Sequence, residues 1–287
     1  MKHSLKKILT CAGFGFLILF SSCFDTTEEF TIKADGSGEY AVTMDMFQMM
    51  KTMMSMGGED KMKSDPEYNE VKDSVFYFKD VVHEADGLTE EEKELFRDAR
   101  FNMHMAMKEE SMFMKFSFPV KRMADFSSVY AGSQKAVKSM GEKAKEQESL
   151  ANSKAEPSAV NPNDAGAQRG PRAVPANKPG VVKAPGKADE FMRSSDFFDL
   201  EMRDGFFSKQ VRAEDFKKYM ASDTTLSMMR PMLENTSFST VVHFPRPVRK
   251  VDSKRVVLSE DRKTATLKLT LNEYMEHPEY MNFKAEY

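Results

Sequence analysis

Apolar and polar positions alternate along much of the chain in short runs separated by turn residues. Phe30, Ile32 and Ala34 alternate with Thr31 and Lys33, and beyond Asp35-Gly36-Ser37-Gly38 the pattern resumes at Tyr40, Val42 and Met44. Period-two patterning on both sides of Asp-Gly predicts a β-hairpin. Phe101, Met103, Met105 and Met107 alternate, as do Met112, Met114, Phe116 and Phe118, so Lys108 to Ser111 joins a second hairpin that Pro119 closes. Phe198, Leu200 and Met202 lead into Asp204-Gly205, and Phe207 to Val211 returns. Phe238, Thr240, Val242 and Phe244 form a strand ending at Pro245. A last hairpin runs from Val256 to Leu258, turns at Glu260-Asp261-Arg262 and returns through Ala265, Leu267, Leu269 and Leu271. Thr264, Thr266, Lys268 and Thr270 occupy the other phase of that strand, which predicts one wet face.

Helical spacing lies between these runs. Asp45 caps a helix with Gln48 at the capping-box position and Gly57-Gly58 as its stop. Tyr68, Val71, Val75, Phe78 and Val82 step by three and four, predicting a second helix that opens at Asp65-Pro66. Thr89 with Glu92 makes a capping box for a third, running to about Arg97. A fourth starts near Met123, loses its apolar stripe and frays downstream, and two more are expected at Ala213–Ala221 and Thr224–Leu233. Antiparallel hairpins packed with amphipathic helices make an α+β fold, not the strict alternation of a parallel sheet.

One compositional break divides this pattern. From Ala131 to Glu190 there is no aromatic residue, and residues 153–188 hold six Pro and four Gly. Such a segment buries too little apolar surface to offset its ordering entropy, so it is expected to be a disordered linker or insertion. It carries six basic and two acidic residues, which would let it lie on an anionic surface; a solvated tether is the simpler reading. The flanking segments, 23–152 and 189–287, either fold separately or contribute to one composite domain. The composite is favoured, because the second segment alone is short for a well-buried core.

The N-terminus reads as an address. Lys2, Lys6 and Lys7 precede an uncharged run from Ile8 to Phe20. At about 1.5 Å per residue that run falls short of a hydrocarbon core of roughly 30 Å, so residues 1–22 form a secretory signal rather than a spanning helix. Its end, Phe20-Ser21-Ser22-Cys23, resembles the lipobox of bacterial lipoproteins, with Phe20 where Leu is commoner. The resemblance implies that Cys23 is the lipid-attachment residue and the first residue of the mature chain. The alternative is ordinary cleavage after Ser22, leaving a free thiol. Phe24 stands where Asp would mark inner-membrane retention, which implies the outer membrane, at its periplasmic face or the cell surface. Asp25, Glu28 and Glu29 resemble the acidic export tag of surface lipoproteins in Bacteroidetes.

Composition narrows the chemistry. The full chain of 287 residues has 42 basic and 45 acidic side chains, a balance that excludes the basic field of a nucleic-acid binder. Cleavage before Cys23 removes three Lys and no acid, taking the formal charge from −3 to −6 and leaving 265 residues. Cys23 is then the sole Cys, so the mature chain has no internal disulfide.

The layout resembles the domain of the mycobacterial LppM lipoproteins and related envelope proteins. The resemblance rests on a lipobox Cys followed at once by the Asp35-Gly36-Ser37-Gly38 hairpin, and on a late strand into Pro followed by Val256 to Thr264. It implies an α+β fold and lipid or glycolipid binding. The Pro-rich segment and the methionine load depart from it.

Candidate chemistry is sparse. Met44, Met46, Met49, Met50, Met53, Met54 and Met56 crowd one strand end and one helix. Thioethers suit Cu(I), but an adaptable core face is the favoured reading, with a greasy surface that contacts lipid or an apolar ligand as a third. Met103, Met105 and Met107 can face Met112 and Met114 across a ribbon. His83, His104, His243 and His277 show no metal-ligand spacing, and no Gly-x-Ser-x-Gly, Walker-type or dinucleotide motif occurs. The expectation is a lipid-anchored envelope lipoprotein acting as a non-catalytic module without cofactor or resident metal. Its partners would be the membrane, through the acylated N-terminus, and an apolar ligand, lipid or envelope protein. The alternative is a Met-rich copper-binding protein of the same compartment.

Overall fold

The computed structural model describes residues 25–48, 50–51, 70–85, 87–153, 196–222 and 236–287. Cys23, the signal segment, Met49, Met53, Met54, Met56, nearly all of 153–188 and the helix expected at Thr224–Leu233 lie outside the described residues.

Twelve strands and four α-helices are present among the described residues. The first hairpin joins β1 (Asp25–Ile32) to β2 (Gly38–Asp45), with Phe30 opposite Tyr40. Its turn needs a backbone that a side chain resists: Gly36 has φ of 82°. Asp35 Oδ1 accepts from the Ser37 amide at 2.9 Å and its hydroxyl at 2.7 Å, which holds the turn and lowers the Asp35 pKa. The methionine hairpin pairs β4 (Arg100–Ala106) with β5 (Ser111–Val120), setting Met103 opposite Met114 and Met105 opposite Met112.

An eight-stranded sheet continues from these pairs. In spatial order it reads β10 (Val257–Leu258), β11 (Thr264–Thr270), β8 (Ser237–His243), β1, β2, β5, β4 and β3 (Lys72–Tyr77). Every neighbouring pair is antiparallel except β1 with β8, which run parallel. Strands from both sides of the Pro-rich segment therefore hydrogen-bond in one sheet. A second, four-stranded sheet has the order β6 (Phe198–Arg203), β7 (Phe206–Val211), β12 (Phe283–Glu286) and β9 (Lys250–Val251).

Alternation fills the space between the sheets. Phe30, Tyr40, Val42, Met44, Phe116, Phe118, Val242 and Leu267 share one buried face of the large sheet. Against it pack Phe207 of the small sheet, 5.6 Å from Phe30, and Tyr130 of helix α2 (Phe126–Ser153), 5.3 Å from Tyr40. Offset and edge-on ring pairs of this kind add to the area they bury. Helix α1 (Glu90–Phe96) opens on the expected capping box: Thr89 Oγ1 accepts from the Glu92 amide, and Glu92 Oε2 accepts from the Thr89 amide at 2.7 Å. Lys135 of α2 reaches Glu92 at 2.8 Å and ties the two helices. The backbone of α2 stays helical to Ser153, one residue into the segment read as linker. Helix α3 (Ala213–Ser222) buries Phe216 as its anchor.

Among the expectations that need correction is Pro119 as the end of the second hairpin: it lies inside β5, opposite Glu39. The helix predicted from Asp65 to Val82 is replaced, over its described part, by strand β3 and two short 3-10 turns at Phe78–Asp80 and Val82–Glu84. Val71 and Val75 of the supposed apolar stripe are more than half exposed, while Phe78 and Val82 are buried. The three-four spacing was coincidental. Val75-Phe76-Tyr77 has strand propensity, and β4 supplies an unpaired edge that captures it as a ladder. Alternation carries the last strand to Leu271, but the strand ends at Thr270, where helix α4 (Leu271–Glu276) begins. A second capping box, Thr270 with Glu273, sets that start.

Candidate functional site

A buried ionic cluster sits in the middle of the apolar layer. Glu28 follows the phase of Phe30 and Ile32 on β1, so its carboxylate points inward. Lys209 follows the phase of Phe207 and Val211 on β7 and points back from the small sheet. Their side chains are 14% and 5% exposed and make a direct ion pair. Glu28 Oε1 also accepts from the Tyr40 hydroxyl at 3.2 Å, and its Oε2 accepts from Thr240 Oγ1 at 3.2 Å. The Lys209 ammonium lies 4.3 Å from the Phe198 ring centroid and 5.8 Å from that of Tyr130. Both charges are thus compensated, as burial demands.

The cluster forms the polar part of a cavity of about 50 Å³. Phe198, Phe238, Leu267, Leu269, Tyr274 and Met281 supply its apolar walls, and Thr26 joins Glu28, Lys209 and Thr240 on the polar side. Phe238 stacks on Tyr274 at 4.2 Å, so helix α4 holds one wall against β8. Burial, reinforced by the nearby Glu28 charge, pushes the hydroxyl pKa values of Tyr40 and Tyr130 well above the usual tyrosine range. Of the residues lining the cavity, Thr26 has its Oγ1 buried without a hydrogen-bond partner among the described residues. That oxygen is free to pair with a polar group of a ligand.

The residues singled out from sequence are distributed differently. Cys23 and most of the dense methionine run lie outside the described residues. Met44, Met46, Met107 and Met114 are buried core side chains. Met105 and Met112 pack with Met50 around buried Phe47 and Met107 in a small cluster of their own. The acidic run Asp25, Glu28, Glu29 is part of β1, and each carboxylate is engaged: Asp25 by the Ser237 hydroxyl, Glu28 by Lys209, and Glu29 by His243 Nε2 at 2.8 Å. His104 Nδ1 lies 2.7 Å from Asp73 and His277 Nδ1 lies 3.2 Å from Glu279, so the histidines are dispersed. No group of three or more His, Cys, Asp or Glu that could hold a metal exists among the described residues.

The sequence pattern marks Glu28 only as part of an acidic run and does not mark Lys209. The signal was their phase: each is an ionisable residue at a position where the strand pattern demands an apolar one.

No protein-family profile matches the chain, and no curated protein matches it. The chain is similar to the folded domain of LppM from Mycobacterium tuberculosis. The alignment to that NMR structure covers 95% of this chain and 94% of the other, with a TM-score of 0.32 and 10% identity. That score lies below the level at which two folds correspond element by element, and neither detail nor function transfers from it. Among the described residues no helix is long and apolar enough to cross a membrane.

Proposed function

We propose that this chain is a lipid-anchored envelope lipoprotein whose folded body is a non-catalytic binding module for an apolar ligand. The anchor is an acylated Cys23, in the outer membrane by the Phe24 reading. The ligand's seat is the cavity between the sheets. The observation that carries this reading is the combination of apolar walls with convergent polar groups, one of them the buried, unpartnered Thr26 hydroxyl. The volume of about 50 Å³ is far below the roughly 300–1,000 Å³ of an ordinary ligand pocket, so the ligand contributes one chain end carrying a polar group, not its whole body. Thr26 would take the polar group, and Phe238, Leu269 and Tyr274 would flank the apolar part.

Native mass spectrometry of the full acylated protein, extracted from an envelope fraction in detergent, tests both halves. An acyl mass on the N-terminal peptide and a co-purifying lipid on the intact protein are the expected results. The lipid should be lost on Leu269→Phe with the melting temperature retained. An intact protein without bound lipid would overturn the cavity assignment. Cys23→Ala should leave unprocessed precursor; a variant that still matures and stays on the membrane would overturn the anchor.

A further inference from the structure

The strand directions define two ends of the large sheet. β1 starts and β2 finishes at one end, where Asp25 pairs with Asp45. Continuing across the sheet, Asp45 pairs with Phe113, Phe113 with His104, and His104 with Asp73. On the other side Asp25 pairs with Ser237 and Ser237 with Thr270. Just beyond this row lies the small methionine cluster: Phe47 and Met107, with Met50, Met105 and Met112 partly buried around them. The Met46 amide donates to the Met112 carbonyl at 2.8 Å and binds the cluster to the sheet end.

Charge is present at both ends: Lys51 lies 3.8 Å from Glu110 beside the methionine cluster, and the opposite end carries a denser set of ion pairs. Lys121 lies 3.4 Å from Glu94 and 3.6 Å from Asp98, Arg97 lies 3.0 Å from Glu94, and Arg122 lies 2.7 Å from Asp125. The hydrated turns at Lys33–Ser37 and Ser259–Lys263 complete that end.

Cys23 precedes β1 by two residues. Two residues of fully extended chain span at most about 7 Å. Moreover β1 is an interior strand, with β8 on one side and β2 on the other, so it has no freedom to swing away from the body. We infer that the methionine-bearing end of the eight-stranded sheet rests directly on the phospholipid bilayer. This rests on the lipoprotein reading of Cys23. The tether is too short to hold the domain off the surface. With strands about 4.8 Å apart, β5 and the β4–β5 connection sit within about 10–15 Å of β1 laterally, inside the same contact. Thioether side chains are flexible and polarisable, which suits contact with disordered acyl chains. The seating also brings the cavity to the membrane side of the domain. Its wall residues Thr26, Phe238 and Leu269 form a single row across the sheet, one step in from the contact end. A bilayer lipid, not a soluble molecule, is then the ligand nearest to hand.

The test uses the acylated full chain in phosphatidylcholine vesicles, with and without phosphatidylcholine bearing a doxyl group near the top of its acyl chain. Acylation consumes the Cys23 thiol, so a single introduced Cys is the sole labelling site. Bimane is placed at the exposed positions Lys51→Cys and Lys108→Cys near the methionine cluster, and at Lys33→Cys and Lys263→Cys on the far end. Doxyl lipid should quench the first two labels several-fold more than the second two. Equal quenching at both ends, or stronger quenching at the far end, on protein whose mass shows the acyl group, overturns the seating and leaves the anchor standing. A mass lacking the acyl group overturns the anchor and the seating together.

Discussion

Replacing one member of the Glu28–Lys209 pair should cost far more stability than replacing both. Lys209 is 5% exposed and Glu28 14% exposed, so neither can turn to water when its partner is lost. Glu28→Gln leaves the ammonium with the Thr240 hydroxyl at 3.3 Å and the face of Phe198. Lys209→Met leaves the carboxylate with hydroxyl partners such as Tyr40 and Thr240 in place of the ammonium. Removing one partner of a buried pair costs about 3–5 kcal/mol, whereas exchanging the pair for neutral groups of similar volume is often close to neutral. At about 2–4 °C per kcal/mol for a domain of this size, each single variant should melt on the order of 10 °C lower. The double variant should recover most of that loss. Urea unfolding followed by circular dichroism measures the four corners of the cycle, provided the slope with denaturant is unchanged. Two results would refute the argument: a single variant within about 0.5 kcal/mol of wild type, or a double variant whose cost equals the sum of the singles.

Other predictions follow from local geometry. Tyr40 and Tyr130 keep their protons in the folded state well above the unfolded value, near 10. The unfolded chain alone therefore loses these protons as pH rises past 10, and stability should fall there by up to about 1.4 kcal/mol per tyrosine per pH unit. A melting temperature flat between pH 9 and roughly 11 would contradict this. Gly38→Ala should unfold or severely destabilise the protein, since its Cβ would sit 1.9 Å from the Thr31 carbonyl oxygen; a variant melting like wild type would show that β1 and β2 can part without cost. Thr270→Ala removes the hydroxyl that accepts the Glu273 amide at 3.3 Å and should cost about 1 kcal/mol by urea titration. Glu273→Gln, which keeps the capping geometry, should cost less.

The legible parts of this fold are those whose cause is local. The turns at Asp35-Gly36 and Asp204-Gly205, the alternation on either side of them, and the Thr89–Glu92 box each draw their stability from residues within one hairpin or one helical turn. The Thr270–Glu273 box was equally local and was overlooked because the strand before it ran straight into it. Met103 opposite Met114 and Met105 opposite Met112 follow from the connection length alone. The rest depended on partners distant in the chain. Residues 72–77 became a strand because β4 offers an unpaired edge, a tertiary circumstance that local spacing does not encode. The parallel pairing of β1 with β8 joins Asp25 to Ser237, and alternation along either strand is the same whatever lies beside it. For that reason the Glu28–Lys209 cluster was visible in the sequence only as two ionisable residues out of phase with their surroundings. Desolvation makes each of them costly alone, and only the packing of the small sheet on the large one brings each charge the partner it requires.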